Sequence, residues 1–368
     1  MLDTTNNLME TMEIRRESYL RKRKKLVWVI AGLFIALAAA IFFATAFGAA
    51  NVALPDIFKM FLNRLAIFHF PVTWKPADET IIFAIRLPRV IGGALVGAAL
   101  ATAGVLFQGI LRNPMADPYI IGTSAGAAMG AVIAMIFPVS VTLLGFGVVP
   151  AAAFMGALAA VYVVYNLARI GGKAPIVSIL LAGMVVSALL GAVMSFLMSI
   201  SDRVGLNLHS VFSFLMGGSI AVTNWSEILL VAILVIGGIV GGRLFAHHLN
   251  AFALGEEGAG YLGIEVEREK MIILGLGSLL TAAAVSISGL IGFVGLVMPH
   301  AVRLTLGPDH RTLIPVSALA GAVFLVLADL AARTILAPSE IPVGIITAIV
   351  GGPFFLILLR RTKREYAF

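Results

Sequence analysis

Asp329 and Arg333 are ionisable residues four positions apart in an otherwise apolar stretch. At that spacing they share one helix face and can pair in the favourable acid-first order. Such a pair marks either a functional site inside a membrane or a structural salt bridge near its surface. A second cluster, Arg86-Leu87-Pro88-Arg89, sets two cations around a proline that fits the first turn of a helix. Cations there oppose the positive end of the helix dipole. The cluster reads either as interfacial anchoring by snorkelling side chains or as a docking site for an acidic partner. Other chemistry is excluded. Gly171-Gly172-Lys173-Ala174 lacks the spacing and the hydroxyl of a phosphate-binding loop, so any use of ATP must come from a partner. His247 and His248 are adjacent and cannot face one site on a helix, and no carboxylate lies at ligand spacing, so no metal site is expected. The absence of cysteine removes disulfides, thiolate metal sites and thiol nucleophiles.

The elements that carry these residues belong to a membrane. The 368 residues are 60% hydrophobic and 12% charged, against roughly 25% charged in a soluble protein. Uncharged runs occur at 26–47, 90–111, 119–137, 148–168, 174–200, 228–242, 312–328 and 341–359. The first is too long for a cleaved signal, whose apolar core is about 7 to 15 residues. The stretch from Met271 to Pro299 is ambiguous: as one helix it would be about 44 Å long, too long for one span and short for two. Charge parity decides. Split near Ser288-Gly289, the chain has ten spans, and 19 of its 26 Lys and Arg residues share one side with both termini. Left whole, it divides the cations almost evenly. The positive-inside rule favours ten spans and cytoplasmic termini.

The net charge of +7 sits in short clusters between spans, which are topology signals rather than a nucleic-acid surface. Small residues four apart, such as Gly93 and Gly97 or Gly126 and Gly130, allow close helix packing. Met194 and Met198 share one face of the fifth run and either line a pathway for a bulky ligand or pack internally. Ala253-Leu254-Gly255-Glu256-Glu257-Gly258-Ala259-Gly260-Tyr261-Leu262-Gly263 is short enough for two stubby helices around a glycine turn. It is either a solvated linker or a lever touching a soluble motor. The first 25 residues, with Glu10, Glu13, Arg15, Arg16 and Glu17, predict an amphipathic cytoplasmic extension, followed by one transmembrane domain over 26–360 and a basic tail over 361–368.

Five ordered blocks resemble the FecCD-type permeases, the ABC importer subunits for iron-siderophores, haem and cobalamin. They are RLPRVIGGALVGAALATAGVLFQGILRNPMADPYIIGTSAGA from Arg86, ALGEEGAGYLG from Ala253, GFVGLVMPHAVRLTLGPDHRTLIP from Gly292, ADLAAR from Ala328 and IPVGIITAIVGGPFF from Ile341. The resemblance implies an all-α integral membrane fold of ten helices per subunit, like the type II importer of cobalamin. It also implies a permease dimer of two identical subunits over two ATPase subunits that bind the ATP and magnesium, so this chain needs no cofactor of its own. A periplasmic or lipid-anchored binding protein would deliver the cargo at the bacterial inner membrane. Residue by residue, Arg86, Arg89 and Arg333 match positions that meet acidic residues of that binding protein, and six such cations would ring the outer mouth of a dimer. Ala253 to Gly263, within a segment over 250–264, matches the coupling helices. Pro175, Ile176, Val177 and Ser178 match the cytoplasmic gate, with a more apolar character than in the cobalamin permease. The alternative is an ion-coupled secondary transporter, which needs buried acids or histidines along a relay; apart from Asp329 the spans offer none.

Overall fold

The structure, a computed structural model, describes residues 2–48, 50–66, 68–137, 146–218, 220 and 224–365, with side chains from 24 to 358 and at 360 within those ranges. Helix α1 (Leu2–Ala46) runs without a break through the charged extension into the first apolar run. It is followed by α2 (Leu54–Arg64), α3 (Pro76–Ile110), α4 (Thr123–Ile136), α5 (Val148–Ala168) and α6 (Ile176–Ser199). The second half comprises α7 (Leu208–Leu215), α8 (Trp225–Leu244), α9 (Ala246–Phe252), α10 (Glu256–Tyr261), α11 (Val266–Ser288), α12 (Val294–Leu306), α13 (His310–Thr334) and α14 (Val343–Glu365). No β-strand occurs among the described residues. Among the described residues seven helices are long and apolar enough to cross a membrane, and α4, α12 and α14 are shorter apolar helices. Together they make the ten membrane helices expected from charge parity.

The ambiguous stretch divides where its length requires. Helix α11 stops at Ser288, and Gly289, at φ 73°, turns the chain before α12. Helix α12 has 13 residues, about 20 Å at 1.5 Å per residue. Such a half-span persists because it is packed inside protein, against α3 and α13. Along α11 the hydroxyls of Ser278, Thr281 and Ser288 donate to the carbonyls four residues earlier, so each of these three hydroxyls is satisfied within its own helix.

The start of α3 differs from the sequence expectation. Arg86 and Arg89 do not stand at a helix N-terminus, because the helix begins ten residues earlier at Pro76, with Asp78 and Glu79 in its first turn. Pro88, which lacks an N–H and whose ring would strike the carbonyl four residues back, is accommodated by a π-helical turn over Ile81–Arg86. There the Leu87 N–H reaches the Ile82 carbonyl. The opposition to the helix dipole therefore does not arise.

Helix α3 is the hub, touching α1, α8, α11, α12 and α13. Its most apolar window is 78% buried, whereas that of α1 is 6% buried, so α1 is a peripheral helix. Backbones meet at glycine: a Cβ on Gly97 would strike the Gly321 carbonyl of α13, and one on Gly126 the Gly156 carbonyl of α5. Gly237, by contrast, has open space around it.

Candidate functional site

Arg86, Arg89 and Arg333 converge at one end of the bundle, but as a buried cluster rather than an exposed ring. Arg86 donates from Nη1 to the carbonyls of Thr45 (3.2 Å) and Ala46 (2.8 Å), and from Nη2 to that of Ala50. Arg333 donates from Nη2 to Ala44 O at 2.8 Å and from Nη1 to Phe47 O at 3.4 Å. These carbonyls close the C-terminal end of α1, where helix acceptors lack intrahelical partners and the dipole is negative. Two guanidinium groups thus cap the first span.

Between them lies Asp329, 1% exposed. Its Oδ2 accepts from Arg333 Nε at 2.9 Å, the pairing its spacing predicted. Its Oδ1 accepts from Arg89 Nε at 3.0 Å and lies 2.9 Å from Arg89 Nη2. Arg89 Nη1 donates to Glu340 Oε2 at 2.7 Å, and Glu340 is the partly exposed member of the cluster. Sequence reasoning missed Glu340, because nothing in the spacing links residues 251 positions apart. Arg89 and Glu340 also line a cavity of about 320 Å³ with His209, Ser213 and Met216.

The opposite end gathers the loops that join the helices there. Asn250 holds the N-cap of α13 from both sides: its Nδ2 donates to Asp309 Oδ1 at 2.8 Å, and its Oδ1 accepts from the His310 amide at 3.0 Å. Partial burial works against the charged form of Asp309, but the Asn250 and Arg311 N–H groups and the Arg311 charge hold its carboxyl below the usual range. Burial pushes the Asp117 carboxyl up despite a 2.8 Å hydrogen bond from the Tyr119 amide. Tyr119 Oη in turn donates to Ile291 O and accepts from Ile291 N, tying the loop after α3 to the turn between α11 and α12.

The stretch Ala253 to Gly263 projects from this end. The glycine turn is present, with Gly255 at φ 100°, but the first stubby helix, α9, precedes the stretch and only α10 lies within it. Ala259 anchors the segment in the core while Leu254 and Tyr261 are 71% and 91% exposed. Glu256, at the start of α10, meets Lys270 of α11, which also holds the loop containing Ala174. Pro175 is the N-cap of α6, and Val177 is exposed on its first turn.

Met194 and Met198 turn inward on α6, packing near Val132, Leu206 and Val211. They lie about half a turn from the exposed face of Val177, Leu181, Val185, Leu189 and Phe196. His247 and His248 diverge, the first toward Arg311 and the second, through Nδ1, to within 3.0 Å of Glu269. Among the described residues no group of three ligating side chains comes together.

A sequence model of the FecCD transport family matches residues 36–361. The cobalamin import system permease protein of Halobacterium salinarum is 49% identical over 77% of this chain and 74% of its own length. The hemin transport system permease protein of Yersinia pestis is 42% identical over 76% of this chain and 83% of its own. An ABC transporter permease protein of Bacillus subtilis is 39% identical over 94% of this chain and 96% of its own. Among solved structures, an inward-facing ABC transporter of the metal-chelate type superposes with a TM-score of 0.76 at 29% identity, covering 90% of this chain and 99% of that one.

Proposed function

The chain belongs to the FecCD transport family, the multi-pass permease subunits of ABC importers, and from that premise we propose that it moves a metal chelate of the iron-siderophore, haem or cobalamin class inward across a bacterial inner membrane. Permeases of this family lack an ATPase site and work with ATPase subunits, a substrate-binding protein and a second permease subunit. For this chain the reading is a homodimer above two ATPases, which bind the ATP and magnesium. The family match over residues 36–361 is the observation that carries it.

Both termini and α10 face the cytoplasm in this reading, and the arginine cluster faces outward, an orientation supported by the excess of cations on one side. A loaded binding protein docks at the arginine end. Arg89 is the member within its reach, because Glu340 covers it from the exposed side and an acidic partner residue can take that carboxylate's place. Arg86 and Arg333 hold the end of α1 beneath that surface. Nucleotide-driven closure of the ATPases pulls on Ala253 to Gly263. The segment Pro175 to Ser178 then opens or closes the cytoplasmic mouth, and the chelate passes between the exposed faces of α6 in the two subunits. No bond in the cargo is made or broken by this chain. Asp329 has both oxygens engaged by arginines, which leaves no free acid there for an ion-coupled carrier.

The test is uptake into vesicles that contain the permease, its ATPase and ATP, with a ferric hydroxamate, haem and cyanocobalamin offered in turn on the binding protein. One of the three accumulates only with ATP and binding protein together. Accumulation driven by an ion gradient without any nucleotide-binding partner would refute the assignment.

A further inference from the structure

We propose that Lys270 is the positioning residue that transmits movement of the coupling segment to the loop entering α6. The proposal rests on the permease reading above and concerns how its two cytoplasmic parts are joined.

Lys270 sits near the start of α11 with its side chain 1% exposed. Its Nζ is 3.0 Å from Glu256 Oε1, 2.9 Å from Glu267 Oε1 and 3.1 Å from the Ala174 carbonyl. These three acceptors use all three ammonium hydrogens. Glu267 closes the loop of contacts, since its Oε2 accepts from the Ala174 N–H at 3.0 Å. One turn of α11 therefore clamps both backbone polar atoms of Ala174, and the cation of that clamp is bonded to the first residue of α10.

The geometry makes the clamp stiff on the side it must move. Ala174 is 1% exposed, and the next residue, Pro175, has its φ fixed by its ring and caps α6. Behind it, Ile170 and Lys173 exchange backbone hydrogen bonds of 2.8 and 3.1 Å across Gly171-Gly172, so the connection from α5 is a tight hairpin with little slack. A buried ammonium cannot be left without its partners, because an uncompensated charge in the interior is costly. When Glu256 shifts with the coupling segment, Lys270 must follow or lose a charged partner, and Ala174 and the first turn of α6 go with it. Charge-assisted bonds are the strong and directional ones, suited to carry such a displacement. A passive anchor would not need a bond to the moving segment.

The experiment uses the assembled transporter in vesicles, comparing the natural chain with Lys270→Met. Two quantities are read: cargo transported per ATP hydrolysed, and hydrogen exchange of residues 171–178 with and without nucleotide trapping. In the natural chain, trapping changes exchange in both 171–178 and the coupling segment. In Lys270→Met the ATPase still co-purifies, but the response of 171–178 disappears and transport per ATP falls about tenfold, the factor for loss of the single charge-assisted bond that reaches the coupling segment. An unchanged ratio together with an unchanged exchange response in Lys270→Met would overturn the proposal. So would the natural chain by itself, if trapping altered the coupling segment and left 171–178 untouched, an outcome that needs no variant to fold. Failure of the ATPase to co-purify with the natural chain would instead strike the permease reading.

Discussion

A buried carboxylate between two guanidinium groups is costly to disturb, because removing it leaves like charges facing each other without solvent. Asp329→Asn should therefore destabilise the chain by about 3 to 5 kcal/mol, read as a lower unfolding midpoint in detergent. Glu340→Gln removes the partly exposed partner and should cost about 1 kcal/mol or less in the same assay. An equal loss in the two variants would show that Asp329 is not the keystone of the cluster. Part of this cluster was legible in the sequence: Asp329 and Arg333 announce their pairing by helical spacing. The remainder was not, because Arg89 finds Asp329 across 240 positions and Lys270 finds Ala174 across 96. Those partners are fixed by which helices pack together, and spacing along the chain says nothing about that.

Helix lengths were the most readable elements, since bilayer thickness sets them from outside the chain. The break at Ser288 followed from length and charge alone. The true beginning of α3 was hidden by its polar first turn, although Pro76 followed by Asp78 and Glu79 is itself a helix-start signal. Glycine spacing was only half informative. Gly97 and Gly126 sit at backbone contacts while Gly237, equally regular in sequence, faces open space. Gly97→Val should lower the unfolding midpoint in detergent by an overpacking cost of about 1 to 3 kcal/mol, since the obstacle is the Gly321 backbone rather than a side chain that can rotate. Gly237→Val should leave the midpoint nearly unchanged, and a comparable fall there would mean that the α3–α13 approach is not what makes Gly97 necessary.

At the scale of the whole molecule, two ends of contrasting construction face away from each other: one closed over buried charge, the other presenting Leu254, Tyr261 and Leu262 to solvent. Large exposed apolar side chains on a short helix are the anchors a partner's cleft would bury. Tyr261→Ala should abolish co-purification of the ATPase while leaving the thermal stability of the isolated permease unchanged; retained co-purification would place the contact elsewhere. The capping of α1 also carries a consequence in time. Ribosomes make α1 before the helices that follow it, yet the contacts that close its end come from Arg86 and, 289 residues downstream of Ala44, from Arg333. The latch on α1 is thus completed only once α13 has been made. Until α13 has been synthesised, only the first of these two arginines is present to clasp the carbonyl end of α1, and the second clasp waits for a residue made much later that reaches back across most of the chain.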